Sequence, residues 1–461
     1  MFKSLITAST LVLMSTAMVG TAYAENYGPY PVTVKGYKGD KKNSVSYTGQ
    51  VARHVLSDSI KKLAGKSDGK GDASQILEYF EGSKKDLPII APKGKDGFKI
   101  KQKTVNEISK GKNISGKFYD GAVPAWPGNM TGKQVVKHMI KHAAKTKDGF
   151  DPKTGYDYAQ LISKFTMGAM SYNQAVDNYL DEKLRADKKP NNKPYKKGAY
   201  YTGKEHSWDE AFGYFGAAAH SLELSAKDNY LVAKKKDAKI ADANGDGVID
   251  LKSEMVFGNA YYAAAFDKSG KTKYMPTIMK AFIDGRKLIT SAKGEALTDE
   301  QRAKLQAYAA TIGTTWEKVL AEAVFKYAGS VYKDIKKLNG AKDDEKAKLY
   351  RKYVKHWGEL KGFSMAIQSG KNNLGKTAVE MNKLIGFGPV TLNDKYVTGV
   401  DADGNFKMDR RRSWGDYQLH MLKVQKLMVD TFKVEARVND GTENLAKMLK
   451  ELDAELNAET D

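Results

Sequence analysis

The chain has 461 residues, 76 Lys and Arg against 55 Asp and Glu, a formal charge of +21, and no cysteine. The absence of cysteine excludes disulfide scaffolds, thiolate-ligated zinc, iron–sulfur clusters and thiol nucleophiles, and the 41% apolar share excludes wholesale disorder. Only nine of the basic residues are Arg, so the excess is carried by lysine, a hydrated point charge. A lysine surface of this kind allows a polyanion partner but argues against nucleic-acid reading, which leans on the arginine fork.

Residues 1–24 have the pattern of a secretory leader: Lys3, an apolar stretch from Leu5 to Val19, and an Ala22-Tyr23-Ala24 cleavage site. No later stretch approaches the roughly 20 apolar residues of a membrane span, so the expected location is periplasmic or secreted. Residues 25–48 predict an extended lead-in. A first helical bundle is expected over 49–234, beginning with Val51, Val55, Leu56, Ile60 and Leu63 at helical spacing. Within it, helices are predicted at 49–63, 75–80, 131–144 (capped by Thr131), 157–180 and 207–224. A second bundle is expected over 255–434, with helices at 255–266, 276–291, 298–311, 313–338, 344–368, 371–384 and 414–434, and a C-terminal helix lies within 435–461. Short strands at 389–392 and 396–400 form a small β-hairpin excursion. The fold class is therefore mainly α.

A faint repeat links Met167-Gly-Ala-Met-Ser-Tyr172 with Tyr327-Ala-Gly-Ser-Val-Tyr332. Each is followed by a histidine–acid pair beside tryptophan, His206-Ser-Trp208-Asp209-Glu210 and His356-Trp357-Gly-Glu359. Residues three or four apart share a helix face, so His206 can act with Asp209 or Glu210, and His356 with Glu359. Two such pairs facing across a pseudo-two-fold would supply four or five ligands to a divalent transition metal. The bland alternative is an imidazole–carboxylate hydrogen bond next to packed tryptophan.

Residues 203–216, GKEHSWDEAFGYFG, resemble the signature of an exported bacterial family of unknown function, itself similar to imelysin-like proteins. Ser46–Arg53, Met167–Met170, Asp242–Glu254 and His356–Phe363 extend the likeness from about residue 45 to 435. The resemblance implies two pseudo-repeated helix bundles, a G-x-H-x-x-E metal motif and a link to iron uptake, with a former assignment as metallopeptidases. Here Gly203 stands three residues before His206, and Asp209 and Glu210 both compete for the acid position. Zincin chemistry needs H-E-x-x-H. The nearest approach is His138-Met-Ile-Lys-His142, which lacks the glutamate, so catalysis is not expected.

The segment 235–254 contains an EF-hand-like calcium loop. Asp242, Asn244, Asp246, Val248 (through its carbonyl) and Asp250 stand at alternating ligand positions, with Gly247 at the turn. Position 12 is Ser253, and Glu254 comes one residue late. Val400–Asn405 is a weaker echo expected to be a turn, and Arg410, Arg411 and Arg412 form the one arginine cluster. The expectation is thus an exported protein holding a metal ion or metal complex, iron being the family-based choice, with calcium as a structural clamp. Its alternative is a structural or adhesive protein with a lysine-rich polyanion-binding surface.

Overall fold

The computed structural model describes residues 26–82, 84–94 and 97–458. The leader pattern at 1–24 lies outside the described residues. Fifteen helices carry the described chain: α1 (Thr48–Ala64), α2 (Ser74–Glu81), α3 (Val105–Ile108), α4 (Gly132–Ala144), α5 (Tyr158–Thr166), α6 (Gly203–Phe215), α7 (Ala226–Ala233), α8 (Ala238–Ala241), α9 (Gly258–Asp267), α10 (Tyr274–Ser291), α11 (Asp299–Asn339), α12 (Asp343–Ile367), α13 (Gly375–Ile385), α14 (Trp414–Phe432) and α15 (Leu445–Ala458). Helix α5 runs on as a π-helix over Met167–Tyr179, so the single long element expected at 157–180 is present with a change of winding.

Local chemistry sets the ends. Thr131, Thr202 and Thr298 each form a capping box with the Gln or Glu three residues on, starting α4, α6 and α11. Gly216, at φ +86°, stops α6. The expected helix 207–224 is therefore shifted, beginning four residues earlier and ending nine earlier. The helices expected at 298–311 and 313–338 are one 41-residue helix, α11. No strand forms at 389–392, where Thr391 instead closes a turn onto Lys395. The strands are short antiparallel pairs: β1 (Phe150–Asp151) with β2 (Tyr156–Asp157), β3 (Lys395–Tyr396) with β6 (Arg410–Arg411), and β4 (Gly399–Val400) with β5 (Phe406–Lys407).

One hydrophobic core runs from Tyr27 to Ala436, so both halves of the chain contribute to the same interior. Helices α5 and α12 meet where side chains are missing. A Cβ on Gly168 would lie 2.2 Å from the Ala366 carbonyl oxygen, and one on Gly362 would lie 2.5 Å from Cβ of Lys164. The lead-in packs on α6, with Tyr27 stacked on Phe212 at 3.6 Å between ring centroids.

Buried His54 on α1 donates from Nε2 to the Gly213 carbonyl of α6 at 3.0 Å. Burial pulls its pKa down to about 4, against the hydrogen bonds to the α6 backbone. The unfolded chain binds a proton at this residue below about pH 6.5 while the folded chain does not. Stability at His54 is thus fully present above that pH and falls as the pH drops towards 4. Urea unfolding should show a loss of up to about 3 kcal/mol between pH 7 and pH 4 from this group, and His54→Gln should flatten that slope.

Candidate functional site

The two histidine–acid couples occupy different surroundings. Asp209 is fully buried. It accepts hydrogen bonds from Arg286 Nε (2.9 Å), the Tyr27 hydroxyl (2.7 Å) and the Ser46 amide (2.9 Å). Arg286, also fully buried, donates in addition to Glu205 (3.1 Å), Thr290 (2.6 Å) and Ser44 (2.6 Å). Burial opposes the guanidinium charge, and the two carboxylates outweigh it. Asp209 thus belongs to a buried ion cluster with Arg286, Tyr27 and Ser46.

His206 lies on another side of α6, between the rings of Tyr195 (4.2 Å) and Tyr201 (4.5 Å). Its Nε2 is 3.6 Å from Glu210, which also accepts from Gln50 at 2.8 Å. Burial holds the imidazole below its usual pKa, against the pull of Glu210. Trp208 is core, donating to the Phe282 carbonyl at 2.8 Å.

In the other couple, His356 is bonded through Nδ1 to Asp334. Glu359 accepts from the Tyr327 hydroxyl at 3.2 Å and lies 3.9 Å from Nζ of Lys164. His356 and Glu359 line a cleft of about 500 Å³, and His206, Asp209 and Glu210 are not among its walls. The couples do not share a pocket, and among the described residues no group of three or more His, Asp or Glu is placed to hold a metal ion.

The calcium-type loop is folded around its own amides. Asp242 accepts from the N–H groups of Gly245, Asp246 and Gly247, Asn244 from that of Asp246, and Asp246 from that of Val248. Glu254 reaches back across the loop to the amides of Ala243, Asn244 and Asp250. Burial pushes its carboxyl above the usual pKa. Asp250 accepts from Gln102 at 2.7 Å, and Nζ of Lys101 stands 3.5 Å from Asp246. Ile249 bridges to Ile100 in parallel register.

The other candidates are packed. The His138 and His142 rings meet at 4.3 Å between centroids with their planes tilted by 38°, and the Phe406 ring of β5 lies against both. Val400–Asn405 is the turn joining β4 to β5, closed by the Asp401 carboxylate on the amides of Asp403 and Asn405. The Arg412 guanidinium covers Tyr396 and Tyr417.

The cleft with the densest chemistry forms where α1, α5, α9, α11 and α12 converge. Lys61, Lys164, Lys234, Lys235, Lys326 and Lys355 line it, against only Asp58 and Glu359. Tyrosine faces take the place of carboxylates beside several of these cations: Lys326 lies 4.9 Å from the Tyr327 ring centre, Lys234 4.9 Å from that of Tyr261, and Lys164 5.3 Å from that of Tyr262. Burial drives the Lys164 amine well below the ordinary lysine pKa, with Lys61 adding to the fall, and it lowers Lys326 as well. Like charges held close in a desolvated wall favour an incoming anion.

Sequence reasoning missed this cleft. The available signal was a charge on an apolar stripe: Lys164 stands within Leu161, Phe165, Gly168 and Tyr172 at helical spacing, where a solvated lysine does not belong.

The chain is a mainly helical protein with a lysine- and tyrosine-lined cleft, in which no described helix is long and apolar enough to cross a membrane. A family model described as a domain of unknown function, DUF4856, matches residues 99–312, which include Lys164 and α6. No curated protein and no solved structure matches the chain.

Asp209→Ala strands the Arg286 charge in the core and should cost about 3–5 kcal/mol in denaturant unfolding. Glu210→Gln, which keeps a hydrogen-bonding partner for Gln50, should change stability by no more than about 1 kcal/mol.

Proposed function

We propose that this chain is an exported binding protein that takes a small polyanionic ligand into the lysine–tyrosine cleft. The observation carrying the reading is the imbalance of six lysines against two acidic residues in one concave site. Such a wall repels bare iron or any other divalent cation and attracts carboxylates, phosphates and anionic metal complexes. The metal expectation thus survives in the form of a chelate, with His356 and Glu359 on the rim, and the imelysin-like link to iron uptake is compatible with it. The polyanion alternative narrows from a surface to a pocket. Enzymatic activity is no part of this reading.

Titration calorimetry with citrate and inorganic pyrophosphate tests it. Wild type should bind at least one of the two, with affinity falling as salt rises. Lys326→Glu and Lys355→Glu should each weaken binding about 10–100-fold, the loss expected for a charge-assisted hydrogen bond of about 1.5–3 kcal/mol. Binding that ignores both substitutions, or no binding at all, overturns the reading.

Calcium at Asp242, Asn244, Asp246, Val248, Asp250 and Glu254 is a second, independent part of the proposal. It is favoured by Glu254, whose carboxylate closes over the same loop as the Asp242 carboxylate. Calcium would displace Lys101 from Asp246. Exported modules of this kind hold calcium at roughly 10⁻⁴–10⁻³ M, so millimolar calcium should raise Tm, and the double variant Asp242→Ala, Asp246→Ala should not respond. An unchanged wild-type Tm leaves a plain turn.

A further inference from the structure

Charge alone does not account for Lys164. An anion-binding lysine works from the rim of a pocket, where its ammonium stays hydrated; this one is 4% exposed and set into the wall. Gly362 of α12 leaves the room it occupies, since any Cβ there would overlap the Lys164 stem. Its Nζ sits beside a second amine, that of Lys61, and is backed by the rings of Tyr262 and Phe363 at 5.3 and 5.9 Å. Desolvation next to another cation is how a lysine is made nucleophilic at neutral pH. A carboxyl group and a phenol stand within reach: Glu359 at 3.9 Å from the amine, and Tyr327 bonded to Glu359.

We propose that Lys164 is a Schiff-base-forming amine, and that the cleft captures anions bearing a reactive carbonyl, such as 2-oxo acids and phosphorylated aldehydes. The inference rests on the anion-binding reading, because the surrounding lysines supply the affinity that presents the carbonyl to Nζ. The neutral amine adds its electron pair to the carbonyl carbon, forming the C–N bond while the C=O π pair moves to oxygen and takes up a proton. In the resulting adduct the nitrogen passes one proton to the Glu359 carboxylate, which delivers it to the hydroxyl so that the hydroxyl leaves as water, and the iminium nitrogen returns its last proton to solvent to yield the neutral imine. The net change is amine plus carbonyl to imine plus water, with no oxidant or reductant required. Glu359 is a positioning and proton-carrying group in this step, and Tyr327 holds its carboxylate in place.

Reductive trapping tests the proposal. The full chain is incubated with glyoxylate or pyridoxal 5′-phosphate at neutral pH, reduced with cyanoborohydride and mapped by peptide mass spectrometry, with oxalate binding followed in parallel by calorimetry. The expected result is an adduct at Lys164 in at least about tenfold excess over any exposed lysine, as each unit of lowered pKa multiplies the neutral amine tenfold. Its rate should level off at a lower pH than that of an ordinary amine, and Glu359→Gln should slow it. Lys164→Arg should abolish that adduct; if this variant fails to fold, the wild-type map alone decides. Oxalate bound without an adduct at Lys164, or labelling spread evenly over surface lysines, overturns the amine role and leaves the anion reading standing. If wild type binds none of oxalate, glyoxylate, citrate and pyrophosphate, both fall.

Discussion

The close crossing of α5 and α12 is the constraint on which the cleft depends. Gly168, Gly358 and Gly362 strip the contact of side chains, so the backbone of one helix lies against the other. Lys164 and Glu359 are then brought to one wall from residues 195 positions apart, and α11 closes the space with Tyr327 and Lys326. Any side chain at these glycines would push the helices apart and separate the amine from its carboxylate. Beyond Thr166 the helix is π-wound, its hydrogen bonds reaching one residue further than in an α-helix, and Met167–Tyr179 packs against both α6 and α12.

Elsewhere the fold settles each buried charge locally, which is what makes the cleft exceptional. Arg286 is matched by Asp209 and Glu205. Lys204 donates to three backbone carbonyls, those of Lys183, Arg185 and Lys188, and buried Lys361 donates to the Gly386 carbonyl at 2.6 Å. Buried Glu322 accepts from the amides of Glu435, Ala436 and Arg437 and so anchors the segment after α14. A buried charge without such compensation costs several kcal/mol. Lys164 has Glu359 only at 3.9 Å and otherwise aromatic faces, and of these buried groups it is the one that opens onto the cleft.

The mainly helical class was legible because apolar residues recur at helical spacing through most of the chain, and Thr131 announced its helix from chemistry alone. Helix ends were less legible: Gly216 and its left-handed φ override an apolar pattern that continues to Leu224. Spacing sets each histidine three or four residues from an acid, yet it cannot say which way a side chain turns. Asp209 and Glu210 are adjacent, and one turns into the Arg286 cluster while the other turns to Gln50 and His206. That choice is made by Arg286, 77 residues downstream of Asp209, and by Tyr27, 182 residues upstream. Partners so remote leave no mark in local periodicity.

The lysine cleft was invisible for a related reason, with one consequence for how its chemistry is distributed. Its cations come from five separate segments, their lysines unremarkable among the 67 of the chain, and only the tertiary fold gathers them. Residues 99–312, the stretch matched by the family model, contribute Lys164, Lys234 and Lys235, while Lys61, Lys326, Lys355, His356 and Glu359 lie outside it. The amine and its proton carrier therefore belong to different parts of the chain. Residues 99–312 of this chain taken alone hold Lys164 but lack Glu359, Lys61 and the other half of the lysine wall, and so the carboxyl that the imine step needs.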